Sequence, residues 1–186
     1  MLQPQHAYRI SNPGGLHFVT FTIVDWVDVF SRCSYRDVLI DNFRFYQQQR
    51  GLLVYGYVVM TNHVHALLAQ PEGKWTLSDT IRDFKKMTAH TIIEKMQTEP
   101  ESRREWMEHR FQWNAGLRNN RSLHQVWTDD NHAEEIWSRK FFDQKLKYIH
   151  MNPVRAGWVY EAEHWRYSSA SDWLSNAPLL QLARWE

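Results

Sequence analysis

The stretch LLVYGYVVMTNHVHALLA, residues 52–69, carries the strongest fold signal in the chain. Its first part, Leu52–Met60, is rich in β-branched and aromatic residues and predicts a buried strand. The second part, His63–Ala69, follows after a short link, so the two segments are predicted to pair as a hairpin. Within the second strand His63 and His65 are separated by one residue, and their side chains therefore point to the same face of a sheet.

The patterns around this hairpin predict a β-α-β-β-α-β order. Alternating apolar and polar residues predict two further strands, and the second of these is a weakly signalled edge strand. Apolar residues at helical spacing predict three helices, and Asn152-Pro153 is predicted to end the last one. These elements are the strands Leu16–Val24 and Leu123–Thr128 and the helices Tyr35–Arg50, Ser78–Met96 and Phe141–Met151. The segment 98–121 has no clean period and is expected to be a loop or an irregular helical insertion. The order predicts an α+β fold of the ferredoxin-like, split βαβ type, an antiparallel sheet with helices on one face and the other face open.

The composition excludes several classes of protein. The 186 residues are 43% hydrophobic and 23% charged with a net charge of +1, which excludes largely disordered and collagen-like chains. The single cysteine, Cys33, excludes an internal disulfide and a cysteine-rich zinc cluster. With neither a membrane-span-length apolar run nor a visible signal peptide, a cytoplasmic protein without a membrane partner is expected. The ten tryptophans fit either an overbuilt core or stacking platforms for unpaired bases.

Two groups of residues suggest chemistry. The imidazoles of His63 and His65 would form half of a divalent-metal site, although such pairs also occur by chance without a role. On the last helix Lys145, Tyr148 and Asn152 share a stripe that the core pattern does not require. The amide oxygen of Asn152 is either a further metal ligand or part of an ordinary helix end.

The small net charge conceals two local basic regions. Residues 101–126 contain five arginines against three glutamates, and residues 139–166 contain six lysines and arginines against three acids. Both regions predict contacts with a polyanion. In the first, four residues suit base edges: Arg118, Asn119, Asn120 and Arg121. Arginine matches guanine and asparagine matches adenine, although an ordinary polar loop has the same composition. In the second, Lys145 and Arg155 are predicted DNA contacts; a solvated lysine is the alternative for Lys145.

Together, NHVHALLA (62–69) and YIHMNPVRAGWV (148–159) resemble the paired signatures of single-tyrosine HUH transposases, a His-hydrophobe-His motif and a catalytic tyrosine on a helix. The run NPVRAG, followed by HWRYSSASDW, is most similar to the branch called REP-associated tyrosine transposases. The likeness extends from about Leu16 to Trp173. It implies one HUH domain over residues 1–186, with a core at about 16–152 and a C-terminal tail at 153–186.

The resemblance implies specific roles. His63 and His65 would hold a divalent metal, Mg²⁺ or Mn²⁺, with Asn152 as a third polar ligand, and Tyr148 would be the nucleophile. Family members cut single-stranded DNA beside small REP-like hairpins, forming a covalent 5′-phosphotyrosine and releasing a 3′-hydroxyl, in transposition or repeat mobilisation. A tyrosine hydroxyl has a pKa near 10, so it needs the help that a metal gives to the scissile phosphate.

Other functions are also compatible with parts of the sequence. A non-catalytic ferredoxin-like nucleic-acid-binding module is the main alternative, but the nearest match to its RNP1 motif, Arg50–Tyr55, lacks the stacking aromatics. A domesticated transposase acting on dispersed repeats fits equally well, whereas replication initiators generally need further domains. Whether the protein is a monomer or a homodimer is left open.

Overall fold

The computed structural model describes residues 10, 12–117 and 122–185 and contains four strands and five α-helices in this part of the chain. The strands are β1 His17–Thr22, β2 Leu53–Val59, β3 His63–Ala69 and β4 Glu134–Glu135. The helices are α1 Cys33–Arg50, α2 Leu77–Thr98, α3 Arg104–Leu117, α4 Arg139–Arg155 and α5 Ser169–Leu174. The strands form one antiparallel sheet in the order β2-β3-β1-β4. The predicted α+β, split βαβ arrangement is confirmed.

The main core lies between one face of the sheet and the helices α1 and α2. Val19 and Phe21 of β1 point to this side and are fully buried. The ring of Phe84 in α2 lies 4.5 Å from that of Phe43 in α1 and 5.7 Å from that of Phe21, measured between centroids. Gly51 ends α1 in the left-handed region at φ 67°, as its position in the sequence predicts. None of the helices described has the length and apolarity needed to cross a bilayer.

The fourth strand lies elsewhere than predicted. In the predicted strand Leu123–Thr128 only Trp127 forms a bridge, with Ile23, whereas Glu134–Glu135 pairs with the start of β1. The physical reason is that β1 ends at Thr22 and the chain then enters a short 3-10 turn, Val24–Trp26. The segment around Trp127 therefore pairs with the chain only at residues 22–24, through the hydrogen bonds Thr128 N–H to Thr22 O and Val24 N–H to Val126 O, and the pairing does not continue into a ladder.

The last helix extends beyond its predicted end at Asn152-Pro153. It continues to Arg155 with Pro153 inside it. Proline removes one N–H from the final turn, but the carbonyls of that turn still find donors: Ala156 N–H donates to Asn152 O and Trp158 N–H to Pro153 O, both at 3.0 Å. The segment predicted as a loop or irregular helix contains the regular helix α3.

The sheet face opposite α1 and α2 is not fully open, because α4 packs across β2 and β3. Gly56 in β2 permits this approach. A Cβ atom added at Gly56 would lie only 2.5 Å from Cδ1 of Leu146 in α4, which is closer than any real contact. The absence of a side chain at this point therefore sets how closely α4 lies against the sheet.

Residues after α4 run along the outer edge of β2. The N–H of Val59 donates to the carbonyl of Tyr167 at 2.9 Å, and the N–H of Ala183 donates to the carbonyl of Val54 at 2.8 Å. Between these points the hydroxyl of Tyr57 donates to the buried carboxylate of Asp172 at 2.6 Å. The tail is thus attached to the sheet by backbone and side-chain hydrogen bonds along the whole of β2.

Candidate active site

Strand β3 presents two imidazoles on the face of the sheet opposite α1 and α2. In the antiparallel register His65 lies across from Thr20 and His63 lies across from Thr22. The ring centroids of the two histidines are 4.8 Å apart. His65 is buried and His63 is half-buried. The prediction that both side chains share one face of a strand is confirmed.

Each imidazole is held at its Nδ1 atom by a neighbouring polar side chain. The Nδ1–H of His63 donates to Oδ1 of Asn62 at 2.7 Å, and the Asn62 amide nitrogen in turn donates to the carbonyl of Trp26 at 3.3 Å. Nδ1 of His65 lies 2.8 Å from Oγ1 of Thr20. With Nδ1 engaged in this way, the Nε2 atom of each ring is left to bind a metal, an arrangement typical of metal-ligating histidines.

The environment of both histidines favours the neutral form. Burial lowers the pKa of His63 to about 4. Burial lowers the pKa of His65 to about 3, with further lowering by the neighbouring His63 and by the charge of Lys145. Both rings are therefore uncharged at neutral pH, and a metal ion does not have to displace a proton from either of them.

Helix α4 brings Tyr148 to the histidine pair. The Tyr148 ring lies 5.2 Å from the ring of His65 and 6.0 Å from that of Phe18, in edge-to-face contacts. Its side chain is not part of the core, since the residue is 38% exposed. The guanidinium of Arg155, two turns further along α4, lies 5.7 Å from the centroid of the tyrosine ring.

Lys145 and Asn152 lie on either side of Tyr148 along the same stripe of α4. Lys145 Nζ donates to Oε1 of Glu134 at 2.7 Å and lies 4.4 Å from the Phe18 ring, so it is not the freely solvated lysine of the alternative interpretation. Lys145 contacts Phe18, and Tyr148, one turn later, contacts both Phe18 and His65. The helix axis of α4 therefore runs from Phe18 past His65, in the direction in which His63 lies on β3. Asn152 lies about 6 Å further in this direction. Its Nδ2 donates to the carbonyl of Tyr148 at 3.0 Å.

The donors gathered here fit a divalent ion with open coordination positions. The site offers two neutral imidazole nitrogens, and Asn152, one turn beyond Tyr148 on α4, is the residue predicted to add an amide oxygen. Among the residues that the structure describes, no group of three or more His, Cys, Asp or Glu side chains lies close enough together to hold a metal ion. Imidazole and amide ligands leave the ion its full positive charge, so phosphate oxygens would be favoured partners.

The predicted DNA-contact residues are only partly placed. Arg118, Asn119, Asn120 and Arg121 lie outside the described residues. Elsewhere in the first basic region, Arg103 Nη1 donates to Oδ1 of Asp28 at 2.8 Å, and Arg110 Nη1 lies 3.9 Å from Oδ2 of Asp25. Arg110 in α3 and Arg103 just before it therefore attach this part of the chain to the segment that follows β1, and part of the predicted basic region serves this structural purpose.

Some residues of the site, Thr20 and Trp26 among them, were not predicted from the sequence. Thr20, which holds His65, follows from the alternation of β1 once its antiparallel pairing with β3 is known. Trp26 lies with its ring centroid 5.9 Å from that of His63. No sequence signal distinguishes this tryptophan from the other nine.

The Thr20 contact leads to a prediction about metal affinity. Thr20→Val keeps the shape of the side chain but removes Oγ1, so His65 loses the group that orients it, and Mn²⁺ affinity should fall by about 10–100-fold. Isothermal titration of Mn²⁺ measures this. Thr22→Val is the matched control, because Thr22 lies on the same strand and face but has no hydrogen bond to either imidazole. Equal affinities for the two variants would contradict the assigned role of Thr20.

The chain is similar to known proteins in both sequence and fold. The family described as "Transposase IS200 like" matches residues 16–152. The REP-associated tyrosine transposase of Escherichia coli (strain K12) is 24% identical over 123 residues, covering 66% of this chain and 57% of that relative. The chain thus matches little more than half of the length of this curated relative. A solved structure of a REP-associated tyrosine transposase bound to a REP hairpin shares the fold, with a TM-score of 0.65 and 21% identity over 96% of this chain and 92% of the other. The chain belongs to the family of IS200-like transposases.

Proposed function

We propose that this protein cleaves and rejoins single-stranded DNA at hairpins of the REP type, in DNA transposition or repeat mobilisation. The observation that supports the proposal is the proximity of Tyr148, on α4, to His65 and His63, on β3, in a chain that belongs to a family of transposases. Residues 16–152 would form the catalytic core of one HUH domain and residues 153–186 its tail. The protein would act in the cytoplasm, where such DNA is accessible.

In the proposed reaction the hydroxyl oxygen of Tyr148 attacks the phosphorus of the scissile phosphate. A bond forms between this oxygen and phosphorus, and the bond from phosphorus to the 3′ oxygen of the preceding nucleotide breaks. The tyrosyl proton is lost, and the departing 3′ oxygen takes up a proton to become a 3′-hydroxyl. The 5′-phosphate remains on the tyrosine, so the energy of the bond is kept and a DNA 3′-hydroxyl can later rejoin the strand by the reverse attack.

The histidines and Asn152 would hold the metal for this step. The resemblance to single-tyrosine HUH transposases implies a divalent ion, Mg²⁺ or Mn²⁺, which would supply Lewis-acid polarisation of the scissile phosphate. His63 and His65 would bind it through Nε2, since their Nδ1 atoms are engaged by Asn62 and Thr20. The two imidazoles favour Mn²⁺ slightly, whereas Mg²⁺ is the more abundant ion in cells.

DNA contacts are proposed on the side of the sheet that carries α4. The exposed guanidinium of Arg155 lies over the Tyr148 ring, and there it would neutralise a phosphate beside the scissile one. Lys145 would contribute positive charge from the other side of Tyr148, although it shares that charge with Glu134. Arg118, Asn119, Asn120 and Arg121 are proposed to read unpaired bases.

The polarity of the covalent bond provides the test. Hairpin DNA with a single-stranded flank is incubated with the wild-type protein and Mn²⁺ or Mg²⁺, labelled at either its 3′ or its 5′ end, and resolved on a denaturing gel. The 3′ label should migrate with the protein, and the 5′ label should appear on a shorter free strand. EDTA should suppress both products. Binding should fall steeply as salt rises, because phosphate contacts release counterions.

The controls separate the proposal from its alternative. A plain duplex of the same sequence should give little adduct, because the tyrosine must reach a phosphate in a strand that is free to bend into the site. Hairpin binding without any covalent product, whichever metal is added, would contradict the proposed reaction and would instead support a non-catalytic nucleic-acid-binding module.

A further inference from the structure

The 3-10 turn after β1 holds an exposed indole beside the histidine pair. Trp26 is 64% exposed, and its ring is edge-on to the imidazole of His63, with an angle of 70° between the ring planes. Ring contacts continue from His63 to His65 and from His65 to Tyr148. The indole therefore lies at one end of a row of aromatic rings whose other end is the proposed nucleophile.

The backbone that carries this indole is strained. Asp25 and Trp26 both lie in the left-handed region, at φ 52° and 55°, which is costly for residues other than glycine and persists only where the surroundings enforce it. Two contacts do so. Asn114 Nδ2 in α3 donates to Oδ2 of Asp25 at 2.8 Å, and Asn62 Nδ2 donates to the carbonyl of Trp26.

Asn62 links this turn to the histidine motif. Asn62 holds the Trp26 carbonyl with its amide nitrogen and accepts a hydrogen bond from His63 with its amide oxygen. The position of the indole is therefore tied to the position of a proposed metal ligand. An exposed tryptophan held in this way is pre-organised, so little conformational freedom would be lost when a ligand contacts it.

We propose that Trp26 forms a stacking subsite for an unpaired nucleobase that lies within a few nucleotides of the scissile phosphate. The inference rests on the proposed function, since it needs single-stranded DNA in the active site. The indole meets the imidazole of His63 in a T-shaped contact and is 64% exposed, so much of its surface is accessible to a base. Stacking of this kind holds the strand irrespective of base identity, and it would direct the adjoining phosphate towards Tyr148.

The test is a double-mutant cycle between the protein and the DNA. Binding is measured in a Tyr148→Phe background, where no cleavage is expected, on hairpin oligonucleotides in which one flanking nucleotide at a time is abasic. Trp26→Ala should weaken binding to the intact oligonucleotide by about tenfold. At one flanking position the abasic change should weaken DNA binding by a similar factor when the protein retains Trp26. The same abasic change should leave the affinity of the Trp26→Ala protein unchanged.

A second readout reports stacking directly. 2-Aminopurine at the same flanking position should lose fluorescence on binding to the Trp26 protein and keep it on binding to Trp26→Leu, which retains apolar bulk without an aromatic face. Trp26→Phe should restore most of the quenching. Trp113→Ala is the matched control, because Trp113 is 58% exposed and also contacts a histidine, His109, on the solvent side of α3. It should bind and quench like the parent.

The outcomes distinguish this inference from the function on which it rests. If the wild-type protein neither binds hairpin DNA nor forms a covalent adduct, the proposed function itself is wrong. If it does both, two results would each show that only the stacking subsite is wrong. One is quenching of 2-aminopurine by Trp26→Leu as strong as by the parent. The other is an abasic effect on affinity that multiplies with the Trp26→Ala effect at every flanking position. Thermal melting by circular dichroism confirms that each variant is folded before its binding is compared.

Discussion

Tyr148→Phe is expected to lower strand cleavage by a factor on the order of 10⁴ or more, because it removes the nucleophile itself. Hairpin affinity should stay close to that of the wild type. Only the hydroxyl is lost, and the ring keeps its contacts with His65 and Phe18. A gel assay for the covalent adduct and a separate anisotropy titration measure the two effects.

Tyr160→Phe is the matched control for this experiment. Tyr160 is almost completely exposed and lies beyond the end of α4, so loss of its hydroxyl should change neither cleavage nor binding. An adduct that persists in Tyr148→Phe would place the nucleophile at another residue, and the assignment of the whole site would then have to be abandoned.

His63→Ala and His65→Ala should each lower metal-dependent cleavage by at least about a hundredfold, since even outer partners of metal ligands cost up to this much. The double variant should be little worse than either single variant, because residues that act as one unit are not additive. Initial cleavage rates across a Mn²⁺ titration provide the measurement, and excess metal should partly rescue a single variant but not the double one.

His164→Ala is the corresponding control, because this exposed histidine pairs with Glu161, on the 3-10 turn after α4. Its cleavage rate should equal that of the wild type. Wild-type cleavage that continues undiminished in EDTA would remove the metal from the mechanism. Effects that multiply in the double variant would show that the two histidines do not bind one ion together.

The elements that carry their own hydrophobic pattern could be predicted from the sequence. β3 lies at the predicted residues, His63–Ala69, because its pattern is local and its face is fixed by a period of two. β4 could not be predicted, because Glu134–Glu135 has no strand propensity and becomes a strand only by lying against β1. The end of α4 was predicted too early, since the helix continues through Pro153 to Arg155 and the carbonyls of Asn152 and Pro153 accept hydrogen bonds from Ala156 and Trp158.

The candidate site divides in the same way. The shared face of His63 and His65 follows from strand geometry, and the stripe of α4 that carries Tyr148 follows from helix geometry. That the tyrosine and the two histidines belong to one site was implied only by the family resemblance. Thr20 and Trp26 depend on how separate segments meet. The strained backbone at Trp26 is imposed by α3 and Asn62. A constraint between distant segments produces no periodic pattern of residues, so it could not be predicted from the sequence.

The tail that lies against β2 has a consequence for self-association. A bare edge strand offers unpaired N–H and C=O groups to any other strand, including that of a second copy. Here Val54 and Val59 already have partners in Ala183 and Tyr167. The C-terminal tail occupies this edge of the sheet, and this protects the edge against aggregation by strand addition. A second copy therefore cannot extend the sheet by adding a strand at β2.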